Sequence, residues 1–174
     1  MSFRVGMGFD IHKRVKGRAL VLGGVRFETD WGLEGHSDAD VLSHAIGDSL
    51  LGAAGMRDLG HHFPSGDPQW KDASSIDLLK LIRSMLDGAG LRIVNVDAML
   101  LAEEPKIAPV YDAMIVNLAS ALRIGAADMS VKATTSESIG IMGRKEGIAA
   151  WSVALVDGVP GPSFSPAETG DRNL

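Results

Sequence analysis

The sequence has no cysteine and few aromatic residues, and these two shortages narrow the chemistry that it can carry. Without cysteine there are no disulfides and no thiolate ligands, so a metal site must be built from histidine, aspartate and glutamate. Aromatic residues make up 5% of the chain, which argues against a stacking platform for single-stranded nucleic acid. The formal charge of −5 gives no general reason to bind nucleic acid either, because such proteins present basic surfaces.

Long apolar runs are also missing. No stretch approaches the roughly 20 residues that span a bilayer, and the N-terminus enters an alternating pattern rather than a secretion signal. We therefore expect a cytoplasmic protein that binds neither membrane nor nucleic acid. Its 174 residues, 45% hydrophobic and 22% charged, are typical of one globular domain.

The hydrophobic periodicity predicts strands interleaved with three helices. The expected helices cover about residues 39–54, 75–87 and 109–123, and the expected strands cover 3–10, a hairpin about Gly23-Gly24, 92–103, 130–135 and 148–157. Residues 56–73 and 136–147 are predicted to be loops. The pattern indicates a single α/β (α+β) domain over residues 1–157, with one mixed β-sheet covered on one face by helices. We predict a disordered tail over residues 158–174.

The helix ends carry recognisable signals. Ser37 or Asp38 is expected to cap the first helix, and Gly55 is expected to close it. Ser74 and Asp77 resemble a capping box for the second helix.

Asp10 and His12 are the first candidate metal ligands. They lie two residues apart on an extended segment, so their side chains point to the same side. In the first helix His44 shares a face with Asp40 and Asp48, either of which could accept the N–H of the second ring nitrogen. An Asp, His, His set leaves one tetrahedral position open, as in catalytic zinc sites. Polar residues around a strand end and a helix start are the alternative interpretation.

Other segments could bind phosphate. His36 and Ser37 precede the first helix, where N–H groups attract anions, although a simple capping segment explains them equally well. The stretch KATTSES offers hydroxyl groups and Glu137, which suit phosphate oxygens and a hard cation such as Mg²⁺. Arg144 adds a cation that can bind phosphate. A turn rich in serine and threonine is the alternative here.

Taken in order, these segments resemble one family closely, the 2-C-methyl-D-erythritol 2,4-cyclodiphosphate synthases of non-mevalonate isoprenoid biosynthesis. The matching stretches are GMGFDIH, LVLGGVRF, GLEGHSDADVLSHAIGDSLLGAAGMRDLGHHFP, DPQWKDASS, NVDAMLLAEEPKIAP, VKATTSESIG and GRKEGIAA. The resemblance implies a homotrimer with active sites at subunit boundaries. It also implies a phosphorus–oxygen lyase that converts 4-diphosphocytidyl-2-C-methyl-D-erythritol 2-phosphate into the cyclic diphosphate and CMP.

The resemblance also assigns roles to residues. Asp10, His12 and His44 become zinc ligands, Glu137 becomes a ligand of a second cation, Mg²⁺ or Mn²⁺, and His36 and Thr135 become the pair that stabilises the transition state. The implied substrate-binding residues are Asp10, Ile11, His12, His36, Ser37, Asp58, Leu59, Gly60, Phe63, Pro64, Ser65, Gly66, Asp67, Ala102, Glu103, Glu104, Pro105, Lys106, Ile107, Ala108, Thr134, Thr135, Ser136, Glu137, Ile141 and Arg144.

The chain departs from the family pattern at two places. Ser65 stands where a carboxylate is usual in the substrate loop, and Ile141 stands where an aromatic residue is common. The second change bears on the central apolar cavity of the trimer. Two other functions would use the same residues: a metal-dependent phosphohydrolase that releases a linear product, and a trimeric module that senses CDP compounds or isoprenoid diphosphates without turnover.

Overall fold

The centre of the domain is a mixed five-stranded sheet. In the computed structural model, which describes residues 2–159, the strand order is β4-β1-β7-β5-β6. β5 and β6 pair in parallel, and the other neighbouring strands are antiparallel. The strands of this sheet are β1 (Phe3–Lys16), β4 (Trp31–Leu33), β5 (Arg92–Leu101), β6 (Met129–Thr134) and β7 (Gly147–Asp157). The predicted mixed sheet is confirmed, and β1 continues well beyond the expected end at Asp10.

A separate hairpin and several helices complete the domain. β2 (Leu20–Leu22) and β3 (Val25–Phe27) form the predicted hairpin as a second, two-stranded sheet. The helices are α1 (Val41–Ala54), α2 (Leu59–His62), α3 (Ser75–Gly88), α4 (Tyr111–Leu122) and α5 (Gly140–Gly143). Single 3-10 turns lie at Pro68–Trp70, Ala108–Val110 and Ala126–Asp128. Both stretches predicted as loops, 56–73 and 136–147, therefore contain a short helix.

Helix α1 lies directly on the sheet because two glycines of β1 face it. A Cβ atom at Gly6 would lie 2.0 Å from the carbonyl oxygen of Ser49, and one at Gly8 would lie 2.0 Å from that of Ala45. Any side chain at these positions would push the helix away. Ser49 and Ser152 meet in this narrow layer, with their hydroxyl oxygens 3.0 Å apart. The small residues thus fix the height of α1 above β1.

The start of α1 differs from the prediction. Its N-cap is Asp40, which accepts the backbone N–H of Ser43 at 3.1 Å, rather than Ser37 or Asp38. The same buried carboxylate accepts the N–H groups of Gly23 and Gly24 in the hairpin turn at 3.0 and 2.7 Å. Asp40 is therefore the cap because it serves the helix and the hairpin at once. Gly55 closes α1 in the left-handed conformation, as predicted.

The two faces of the sheet differ in what covers them. Helices α1 and α4 lie against one face, where residues such as Ile93, Val96 and Leu100 are buried, and α3 packs against these two helices. The opposite face, here called the open face, carries side chains that are 36 to 70% exposed: Phe3, Val5, Met7, Phe9, Ile11, Met99, Trp151 and Val153. The predicted covering of one face by helices is confirmed.

Within residues 2–159 no helix is long and apolar enough to cross a bilayer. The division into a domain over 1–157 and a tail over 158–174 stays a prediction, and from residue 160 onward the predicted tail lies outside the described residues.

Candidate metal centre and substrate cavity

Three side chains from two elements converge on one point. Asp10 and His12 extend from β1, and His44 comes from the first turns of α1. The Asp10 Oδ2 atom lies 2.9 Å from His12 Nε2 and 3.0 Å from His44 Nδ1, and the two ring nitrogens are 3.1 Å apart. The predicted convergence of these three residues is confirmed, and among residues 2–159 they form a group able to hold a metal ion.

The triangle formed by Asp10 Oδ2, His12 Nε2 and His44 Nδ1 has a size that suits a small divalent ion. A tetrahedral zinc ion with bonds of about 2.0–2.1 Å needs donor atoms roughly 3.3 Å apart. The observed separations of 2.9 to 3.1 Å are a few tenths of an ångström shorter, as expected when hydrogen bonds join the donors. Two imidazoles and one carboxylate are also ligand types that zinc accepts. The residues present therefore fit the predicted metal.

A backbone carbonyl fixes the position of the proton on the His12 ring. Its Nδ1 atom lies 2.5 Å from the carbonyl oxygen of Glu34. Since a carbonyl only accepts, Nδ1 carries the proton and the Nε2 lone pair of the neutral ring faces the triangle. Asp10 is fixed in a similar way, because its Oδ1 atom accepts the N–H of Ile11 at 2.8 Å.

The electrostatics of the group follow from its contacts. Burial alone would raise the pKa of Asp10, but the hydrogen bonds and charges of His12 and His44 outweigh burial and hold that pKa well below 3.8. Burial alone would lower the pKa of His12, but its hydrogen bond and attraction to Asp10 prevail and raise the pKa above 6.5. Because metal ligands must be deprotonated, the raised pKa of His12 means that protons compete with a metal ion for this ligand.

The second nitrogen of His44 does not meet either predicted aspartate. Asp40 is occupied at the helix start, and Asp48 accepts the N–H of Leu59 at 2.7 Å. The expectation that one of them supports His44 is wrong, because the Asp40 carboxylate binds the helix start and the hairpin turn, and the Asp48 carboxylate binds the start of α2. His44 Nε2 instead lies 3.1 Å from Ser37 Oγ and 2.9 Å from Ser75 Oγ.

A cavity of about 310 Å³ opens beside the metal ligands. Residues predicted to bind substrate line it together with His12 and His44, namely His36, Ser37, Leu59, Gly60, Phe63, Pro64, Ser65 and Gly66. His36 connects the segment before α1 to the loop after α2, because its Nε2 atom lies 3.1 Å from the carbonyl oxygen of Asp67. Asp58 and Asp67 themselves cap α2 and the 3-10 turn that follows.

A second cavity, of about 520 Å³, lies beside β6. The predicted residues that line it are Ala102, Pro105, Lys106, Ile107, Ala108, Thr134 and Thr135. Next to it, Glu137 is exposed and accepts the Thr135 hydroxyl at 2.8 Å. The Glu103 carboxylate accepts the N–H and the hydroxyl of Ser136.

Glu104, Ile141 and Arg144 line neither of these two cavities. Glu104 pairs with Arg14 at 2.6 Å and with Lys145 at 2.7 Å, and Arg144 pairs with Glu146 at 2.6 Å. Ile141 lies over a third hollow, of about 600 Å³, between α5 and the end of β1.

The register of the sheet separates the two cavities within one chain. Ile11 lies opposite Ala149, Ala149 opposite Leu101, and Leu101 opposite Thr134. Three strand spacings of about 4.8 Å place β6 roughly 14 Å from β1. The chain therefore does not bring Thr134–Glu137 to its own metal ligands.

One residue of this region has no counterpart in the sequence-based prediction. The Arg18 guanidinium donates to the carbonyl oxygens of Gly35 and Ser37 at 2.8 and 2.7 Å. It thereby holds the segment that carries His36. Arg18 precedes the hairpin without a recognisable motif, so the sequence offered no signal for it.

Fold and site together define a single-domain α+β protein with a group of three side chains able to hold a metal ion beside a cavity. Comparison with known proteins then identifies the family: the model of the YgbB family matches residues 3–157. The chain belongs to the YgbB family.

Named relatives agree with this assignment. A 2-C-methyl-D-erythritol 2,4-cyclodiphosphate synthase from Moorella thermoacetica is 52% identical over 153 residues, which cover 88% of this chain and 94% of the relative. The protein of the same name from Bordetella avium is 53% identical over 156 residues, 90% of this chain and 96% of the relative. The solved CDP complex of IspF from Plasmodium falciparum is similar with a TM-score of 0.78 and 33% identity, over 91% of this chain and 97% of that one.

Proposed function

We propose that this protein converts 4-diphosphocytidyl-2-C-methyl-D-erythritol 2-phosphate into 2-C-methyl-D-erythritol 2,4-cyclodiphosphate and CMP. The observation that carries the proposal is the Asp10, His12 and His44 triangle beside a cavity, in a chain that shares half its residues with synthases over almost their full length. The reaction belongs to non-mevalonate isoprenoid biosynthesis. A cytoplasmic location stays a prediction.

The geometry suits an intramolecular phosphoryl transfer. The substrate's own 2-phosphate attacks the β-phosphorus and CMP leaves, so no protein nucleophile is required, and the chain's task is to hold two anions in line. A zinc ion held by the three ligands, with a second cation near Glu137, would supply the Lewis acidity and positive charge that offset repulsion between the phosphates.

The chain's own residues have distinct parts in this proposal. His36, fixed by the Asp67 carbonyl and by the Arg18-bound segment, presents its imidazole to the transferring phosphate together with the Thr135 hydroxyl of a neighbouring chain. Ser37 contacts the substrate from the same segment. The cavity beside β6, with Lys106 at its wall, receives the cytidine phosphate. The loop from Phe63 to Asp67 covers the erythritol part, with Ser65 in place of the usual carboxylate.

A homotrimer would complete each site. Thr134–Glu137 lies roughly 14 Å from the metal ligands of its own chain, three strand spacings across the sheet. The large open face, with Val5 67% and Met7 70% exposed, is the kind of apolar surface that marks a protein interface. Packing the open faces of three chains about an axis would bring the β6 edge of one chain to the metal ligands of its neighbour.

Product analysis tests the reaction. With the proposed substrate, Zn²⁺ and Mg²⁺, phosphorus NMR should show a cyclic diphosphate and one CMP for each substrate consumed. His36→Asn should abolish turnover with zinc retained, whereas His61→Asn, an exposed histidine on α2, is the matched control and should stay active. A linear product would establish a phosphohydrolase, and binding without CMP release would establish a sensing module.

Light scattering tests the assembly separately. The wild type should have three times the 18.4 kDa mass of the chain. Met7→Glu places charge on the open face and should yield smaller species. Val116→Glu, on the exposed side of α4 where the side chain is 62% exposed, should remain trimeric. A monomeric wild type would contradict the shared site.

A further inference from the structure

The two metal-ligating histidines are held by different kinds of partner. His12 faces a backbone carbonyl, which settles its proton position. His44 Nε2 faces the hydroxyl groups of Ser75 at 2.9 Å and Ser37 at 3.1 Å. A hydroxyl can either donate or accept, so this contact alone leaves open which ring nitrogen carries the proton. Only the tautomer with a proton on Nε2 leaves the Nδ1 lone pair for a metal.

The partner of Ser75 settles this question. The Asp38 carboxylate accepts two hydrogen bonds from Ser75. Oδ2 accepts the backbone N–H at 2.9 Å, and Oδ1 accepts the hydroxyl. Because a carboxylate at neutral pH has acceptors only, the single hydroxyl proton of Ser75 points to Asp38. The Ser75 oxygen therefore accepts from His44. This chain of hydrogen bonds, from His44 to Ser75 to Asp38, places the His44 proton on Nε2. The Nδ1 lone pair then faces Asp10 and His12.

We propose that Asp38 and Ser75 are positioning residues that fix the tautomer and the orientation of His44 for metal binding. The inference rests on the metal centre of the proposed function. Ser75 is 1% exposed, so that water cannot readily substitute for its hydroxyl.

The same contact joins two structural elements. Ser74 makes no side-chain cap at the start of α3, contrary to the predicted capping box, and Asp38 binds the N–H of Ser75 in its place. The metal centre is thereby tied to the first turn of α3. A structural role of Asp38 as a cap and its role toward His44 must therefore be separated by experiment.

Two variants separate these roles. Asp38→Asn presents an amide donor to Ser75, which would turn the serine hydroxyl toward His44 and favour the wrong tautomer. Ser75→Ala removes the link to His44 but keeps the backbone N–H bond to Asp38. We expect either change to weaken Zn²⁺ binding by about 10–100-fold, as is typical when the outer partner of a ligating histidine is lost.

The control is Asp77→Asn. It removes one negative charge from the same first turn of α3, where the exposed Asp77 carboxylate pairs only with Lys80 at 2.7 Å among the described residues. Its Kd for Zn²⁺ should equal that of the wild type. The Kd is measured by competition with a chromophoric chelator, and the melting temperature of each metal-free protein is measured beside it.

The outcomes are distinct. A purely structural cap predicts a lower melting temperature for Asp38→Asn with an unchanged Kd for Zn²⁺ in both variants, and this result would overturn the inference. In the zinc-loaded wild type, nitrogen-15 labelled histidine should show a His44 Nε2–H signal that exchanges slowly with water, and faster in Ser75→Ala. The absence of a protected signal in the wild type would also overturn it. A wild type that binds no Zn²⁺ would instead refute the metal centre itself.

Discussion

Gly8→Ala is the substitution that best tests how the fold builds the metal centre. A Cβ atom at this position would lie 2.0 Å from the carbonyl oxygen of Ala45 and 2.7 Å from the backbone nitrogen of Ser49. Both atoms belong to the backbone of α1, so no side-chain rotation relieves the overlap. Restoring an ordinary contact of 3.4 Å requires the helix and the strand to separate by roughly 1.4 Å.

This displacement would reach the metal ligands directly, because Ala45 follows His44 in the chain. Metal–ligand distances vary by only about 0.2 Å around their usual values, so His44 would move out of range of an ion held by Asp10 and His12. Overpacking of a well-packed core costs about 1–3 kcal/mol. For a chain of this size, that cost corresponds to a fall in melting temperature of roughly 2–12 °C.

The assay combines zinc content with thermal unfolding. Gly8→Ala should lose bound zinc and melt earlier. Gly88→Ala is the control, since a Cβ atom there meets nothing within 4 Å, and it should retain zinc and melt at the same or a higher temperature. Full zinc content in Gly8→Ala, with the wild-type melting temperature, would refute the argument that glycine sets the height of α1.

Three further predictions follow from the same site. His44→Ala should lose zinc and activity but retain the fold and the trimer, as measured by metal analysis, circular dichroism and light scattering. In the metal-free protein the pair of Asp10 and His12 stabilises the fold most between pH 3.8 and 6.5, and this stabilisation is lost as the pH rises through the raised pKa of His12 or falls through the lowered pKa of Asp10. The difference in melting temperature between metal-free wild type and Asp10→Asn should therefore shrink toward alkaline pH. Arg18→Gln should reduce turnover by about 10- to 150-fold, because a hydrogen bond from a charged donor contributes about 1.5–3 kcal/mol to holding the His36 segment, while zinc content stays unchanged.

The sequence was most informative where chemistry and periodicity coincide. The alternation of β1 placed Asp10 and His12 on one side, and the helical period placed His44 on a face of α1, so the three could be named as candidate ligands, and the family resemblance then joined them into one set. The sheet, its helical layer and the hairpin at Gly23-Gly24 followed from the same periodicity.

The errors arose where a contact joins distant parts of the chain. Ser37, Asp38 and Asp40 are all able to cap a helix, and the choice of Asp40 depends on hairpin N–H groups 16 and 17 residues away. The partner of His44 is Ser75, which lies 31 residues along the chain. Local patterns contain no information about such pairings, because they are decided by how α1, α3 and the hairpin pack together.

The spacing across the sheet has a consequence for mixed assemblies. If each site takes its metal ligands from one chain and Thr134–Glu137 from the next, as proposed, two inactive proteins can repair each other. His44→Ala lacks the metal ligand but has an intact Thr135, and Thr135→Ala has the opposite defect. When both are refolded together in equal amounts, subunits assort at random in a closed ring. About one site in four would then take its intact His44 from a Thr135→Ala subunit and its intact Thr135 from a His44→Ala subunit. Activity would thus reappear from subunits that have none alone.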